Sequence, residues 1–142
     1  MAGSSGLYEH SMEALPLRPN ATFVRTHMSK VFYDQSYVTD EAVQEIADMI
    51  KAKANILKMI QSARSAKKDN LQSLLPTINI PTLLLWGTND NITTMDVAYT
   101  FRDLMPRADL KTIDNCGHAP MIEHPEWFAK EVRSFMHFRG DL

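Results

Sequence analysis

The chain has 142 residues but only one cysteine, Cys116, so no disulfide can close within it. That scarcity excludes a small scaffold held together by disulfides. It fits a reducing compartment, and a cytoplasmic location is the expectation. Also lacking is any apolar run long enough to cross a bilayer as a helix. The opening residues, Met1-Ala2-Gly3-Ser4-Ser5-Gly6, have neither the basic nor the apolar segment of a secretory signal. Charge of one sign is missing too. The net charge is -2, which offers no footprint for nucleic acid, an anionic membrane or a strongly charged substrate. Cys116, His118 and Asp114 lack closed-site spacing and a fourth ligand, so neither a metal nor a cofactor is expected.

What is present is an ordinary globular composition. Apolar residues make up 44% and charged residues 23%, enough for a real core in one domain. Residues 1–38 read as irregular, broken by Pro16 and Pro19. His10 and His27, with Met12, Met28, Phe32 and Tyr33, suggest a cap or pocket lining on composition alone. From Val38 the pattern turns helical. Thr39 or Asp40 can cap a helix carrying Val43, Ile46, Ala47 and Ile50 on one stripe. Ile56, Leu57, Ile60 and Ala63 form a second stripe, and Asp69 or Asn70 can cap a short turn that Pro76 closes.

The period then switches. Thr82-Leu83-Leu84-Leu85-Trp86 is a continuous apolar run between Pro81 and Gly87, the pattern of a strand buried on both faces. A helix with Val97, Phe101, Leu104 and Met105 follows, then a shorter, more polar edge strand at Ala108 to Ile113. The last helix starts near Pro125, with Phe128, Val132, Phe135 and Met136 as its buried stripe. His124 just before this helix and His137 near its end read as exposed or capping residues. Strand, helix, strand, helix with short connections means α/β architecture and a parallel sheet with right-handed crossovers.

Ligands of such sheets sit beyond the carboxyl ends of the strands. Asp90 and His118 each fall a few residues past a strand. A carboxylate that accepts the imidazole N–H fixes the tautomer and stabilises the imidazolium formed when the ring takes a proton. Each residue also has a plainer reading. Asp90-Asn91 can simply cap the next helix, and a histidine in a Gly-His turn can be structural.

The stretch from Ile80 to Met136 resembles the C-terminal end of α/β-hydrolase-fold enzymes of the esterase, lactonase and C–C-bond-hydrolase type. The family pattern Pro-Thr-Leu-Leu-x-Trp-Gly-x-x-Asp is met by Pro81, Thr82, Leu83, Leu84, Trp86, Gly87 and Asp90. The later pattern Gly-His-x-Pro and Glu-x-Pro-Glu is met by Gly117, His118, Pro120, Glu123, Pro125 and Glu126. One departure is Thr94, where the family often has proline four residues after the acid. The resemblance implies that Asp90 is the acid and His118 the base of a catalytic triad. It implies a helical cap region over residues 1–79 and the C-terminal portion of the hydrolase core over residues 80–142. Met1 to Leu7 then resembles the end of the strand before the cap, and the half of the fold that holds the nucleophile lies outside the chain.

Ala2-Gly3-Ser4-Ser5-Gly6 matches the letters of a nucleophile elbow, but no strand precedes it and no packed helix follows. Ser4 is instead expected to line the pocket, together with Cys116 and Ala119. A small apolar ester, lactone or C–C-bond substrate is implied for the parent enzyme. The contrasting expectation is a degenerate, non-catalytic module. The strand from Thr82 to Trp86, lacking its inner neighbour, would then pair with a second copy or with a complementary N-terminal half.

Overall fold

The computed structural model describes residues 1–2, 7, 20–50, 58, 61 and 71–139. Their elements, in order, are α1 (Ala21–Val31), α2 (Asp40–Ile50), β1 (Thr82–Gly87), α3 (Met95–Leu104), β2 (Ala108–Ile113), α4 (Pro120–Glu123) and α5 (Pro125–Arg139). Short 3₁₀ segments occupy Gln35–Tyr37 and Gln72–Thr77. Ser4, the stripe of Ile56, Leu57, Ile60 and Ala63, and the caps Asp69 and Asn70 lie outside the described residues. So do His10 and Met12. Among the described residues no helix is long and apolar enough to cross a membrane.

β1 and β2 pair in parallel, from Thr82 opposite Ala108 to Gly87 opposite Ile113. All six β1 residues are buried, whereas in β2 Asp109, Lys111 and Thr112 are exposed and the other three half-buried. That difference separates a covered strand from an outer one. β2 is not the shorter strand: both span six residues. Leu84 and Trp86 pack with Val97, Ala98, Phe101 and Met105, closed below by Leu7 and Leu75. Burying Leu84 alone contributes about 1.5–3 kcal/mol. The Trp86 and Phe101 rings lie 6.2 Å apart in a tilted arrangement.

The β1 edge opposite β2 is met by the first two residues of the chain. Ala2 forms a parallel bridge with Leu85, and the Leu85 N–H donates to the Met1 carbonyl at 2.8 Å. Met1 and Ala2 lie there as a strand end would.

Helix α1 corrects the expectation of an irregular segment. Asn20 caps it by accepting from the Phe23 N–H at 2.9 Å. Its buried face is narrow, Val24 and Met28, and polar residues between them conceal the helical period. Val24 and Met28 pack with Val43 and Ala47 of α2 and with Val38 in a second apolar cluster. Phe32 stacks on Tyr37 at 5.3 Å, so Met28 and Phe32 serve this packing. Thr39 is the residue that caps α2, accepting from the Ala42 N–H at 3.1 Å. Pro76 falls inside its 3₁₀ segment, which runs one residue further to Thr77. The α5 stripe of Phe128, Val132, Phe135 and Met136 is half-buried rather than buried.

Candidate active site

The turns after β1 and β2 are sewn together by backbone bonds. The Thr88 N–H donates to Ile113 and the Asn89 N–H to Cys116, both at 3.0 Å. Gly87 makes this approach possible: a Cβ there would overlap the carbonyl oxygens of Cys116 and Gly117. The result is that two residues 28 positions apart in sequence meet.

Asp90 Oδ2 lies 2.8 Å from His118 Nδ1. Asp90 Oδ1 accepts from the N–H groups of Ile92 at 2.8 Å and Thr93 at 2.9 Å. The Thr93 hydroxyl donates to Oδ2 at 3.0 Å and stands 3.3 Å from His118 Nδ1. Trp86 fixes this turn from below, its Nε1–H donating to the Thr93 carbonyl at 2.7 Å. The Asp90 side chain is 1% exposed and that of His118 27%. Burial pushes the Asp90 carboxyl up, but the bond from His118, the Thr93 N–H, the imidazole charge and the Ile92 N–H outweigh it. The carboxyl is held below the usual range and stays ionised at neutral pH. Asp90 thus both forms the turn and partners the imidazole; it does not cap α3, whose N-cap is Thr94.

The histidine turn is built differently. Asn115 adopts a left-handed φ of 54°, which its short polar side chain tolerates. His124 reaches back, its Nε2 lying 3.1 Å from the Asn115 carbonyl. Gly117 N–H donates to Glu123 Oε1 at 2.7 Å, and His118 N–H donates to the Val31 carbonyl at the end of α1, also at 2.7 Å. A Cβ on Gly117 would overlap that same carbonyl oxygen.

Asp90 and His118 are therefore brought together. Cys116, expected on the pocket wall, is fully buried with its thiol against Glu123. Its thiol is pushed up to about 12, chiefly by burial and then by Glu123 and Asp90, so it is a neutral thiol and not a nucleophile at neutral pH. Ala119, also expected there, is 7% exposed and opens α4, its carbonyl accepting from Ile122 and Glu123. Sequence reasoning missed the tasks of Thr93 and Glu123. Glu123 was legible only as a letter of the family pattern, and Thr93 carried no signal of its own.

Comparison with known proteins identifies the fold. Residues 2–125 match the family model of the alpha/beta hydrolase fold. A 2-hydroxy-6-oxononadienedioate/2-hydroxy-6-oxononatrienedioate hydrolase of a Pseudomonas species is 26% identical over 88% of the chain and 45% of its own length. A 2-hydroxy-6-oxo-6-(2'-aminophenyl)hexa-2,4-dienoic acid hydrolase of Metapseudomonas resinovorans is 29% identical over 100% of the chain and 52% of its own. The chain thus spans about half the length of these curated relatives. Among solved structures, an alpha/beta hydrolase from a lagoon-sediment metagenome is 39% identical, with a TM-score of 0.60 over 72% of this chain and 45% of that one. The meta-cleavage product hydrolase of Pseudomonas fluorescens IP01 shares the fold, with a TM-score of 0.75 at 24% identity over 97% of this chain and 54% of that one. The chain belongs to the α/β-hydrolase fold family.

Proposed function

We propose that Asp90 and His118 are the acid and base of a serine hydrolase acting on a small, mostly apolar ester, lactone or C–C bond. The nucleophilic serine comes from a segment of the fold outside the described residues. The observation that carries the reading is the 2.8 Å bond between a buried carboxylate and a partly exposed imidazole. Asp90 occupies Nδ1, so Nε2 is the nitrogen that takes the serine proton and returns it to the leaving group. The carboxylate stabilises the imidazolium formed between these steps, and backbone amides of the other half hold the oxyanion. Residues 1–79 act as the cap over the site, and the working location is the cytoplasm. The relatives named above make a C–C-bond substrate, a dienoate with a 2-hydroxy-6-oxo pattern, the first to try.

The β1 edge supports a second reading, a non-catalytic module. Among the described residues only Met1 and Ala2 meet that edge. A second copy or a complementary half adds its strand there, giving association in sizing experiments at micromolar concentration.

One experiment separates the two readings. Hydrolysis of p-nitrophenyl butyrate is measured for the chain alone and for the chain mixed with the serine-bearing N-terminal half of a relative. The enzymatic reading expects negligible turnover alone and restored turnover in the mixture. His118→Ala should then abolish the restored rate, since losing a triad member removes on the order of a millionfold. Turnover that survives this substitution contradicts it.

A further inference from the structure

We infer that Glu123 is the positioning residue for His118, and that it locks the chain just after α1 to the histidine turn. Both of its carboxyl oxygens are used, each on a different part of the chain. Oε1 accepts from the Gly117 N–H at 2.7 Å and lies 3.7 Å from Cys116 Sγ. Oε2 accepts from the N–H groups of Tyr33 at 2.8 Å and Asp34 at 2.9 Å. These last two donors stand 90 and 89 positions away in sequence.

Other bonds run along the same seam. The His118 N–H is held by Val31, and the Tyr37 hydroxyl donates to the Ile122 carbonyl at 3.3 Å. Those are single bonds to single oxygens. Among the described residues Glu123 alone gathers donors from both sides on one rigid, planar group, and charge-assisted bonds of this kind are the strong ones. Gly117 is the residue before the histidine, so its peptide orientation sets where the imidazole points. Displacing Tyr33 and Asp34 pulls on the same carboxyl group that holds Gly117. The consequence is coupling: whatever shifts the segment between α1 and α2 shifts the imidazole relative to Asp90. Its importance for catalysis rests on the hydrolase reading above, but the contact itself does not.

The test reads the imidazole rather than turnover. In the chain as it exists, the His118 Nδ1–H bonded to Asp90 should give a downfield proton resonance protected from exchange. In Glu123→Gln an amide group replaces one oxygen and faces donors with donors. The resonance should broaden or vanish, and Gly117 amide protection should fall about tenfold or more. Tyr37→Phe, which removes only the neighbouring bond, should leave the resonance in place. An unchanged resonance in Glu123→Gln, with thermal stability alone reduced, overturns the proposal. Should the glutamine variant fail to fold, amide exchange in the unsubstituted chain decides. Gly117, Tyr33 and Asp34 must then share one opening event, with protection factors equal within about a factor of three. Independent exchange of Gly117 overturns it. Failure of the hydrolase reading looks different: the resonance is intact and the reconstituted protein is inert.

Discussion

The two halves of the candidate site are held by opposite means. The Asp90 turn is local: its carboxyl takes N–H groups from Ile92 and Thr93 and a hydroxyl from Thr93, all within three residues. A further near tie, from Trp86, spans seven, and the remote ties of this turn, Thr88 to Ile113 and Asn89 to Cys116, hold its backbone rather than the carboxyl. The His118 turn is held from far away, by Val31 and, through Glu123, by Tyr33 and Asp34. A locally built turn keeps its shape whatever the rest of the molecule does. A remotely built one depends on the helical layer packed against it. The acid's carboxyl is thus anchored within its own turn, and the base's turn by the helical layer.

The comparison is broken most severely at Gly117. Gly117→Ala places a Cβ on the Val31 carbonyl and should cost about 3 kcal/mol in urea unfolding, with loss of the Nδ1–H resonance. A variant as stable as the parent would show that α1 does not press on this turn. Trp86→Phe removes the indole bond to Thr93 from the acid side and should cost about 2 kcal/mol by the same measurement. Thr93→Val is milder, about 1 kcal/mol. It should disturb Asp90 while leaving the amide protection of Tyr33 and Asp34 unchanged. If those remote amides respond, the acid turn is not local after all.

The smallest effects are in pH dependence. Asp90 has a lowered pKa, so its contribution to stability is present above the ordinary carboxylate range and is lost as pH falls through the depressed folded value. Asp90→Asn should flatten that acid limb of the melting-temperature profile. Cys116 has the opposite sign. Its folded value of about 12 lies above its ordinary 9.0, so stability should decline as pH rises between the two. Cys116→Ala should remove that part of the decline.

The same contrast explains what the sequence made legible. β1, α3, β2 and the start of α5 carry their signals within a few residues: an apolar run, a helical stripe, Gly87 and Pro125. Asp90 and His118 could be paired because each follows a strand and the strands are neighbours. The turn chemistry of Asp90 was also readable, since its partners are adjacent. Helix α1 was not, because its buried face is only Val24 and Met28 amid polar residues. Nor was the work of Glu123, whose partners near residue 33 carry no local mark of the contact. Cys116 lies two residues before the histidine, and that closeness in sequence is what suggests a pocket wall. In the fold, successive residues of this tight turn point to different surroundings, and the thiol points inward.

The most direct measurement is the proton spectrum of the His118 imidazole in the intact chain and in Asp90→Ala. The expected result is an exchange-protected Nδ1–H resonance that disappears when the carboxyl is removed. A resonance absent from the intact chain, or one that persists unchanged without Asp90, would contradict it.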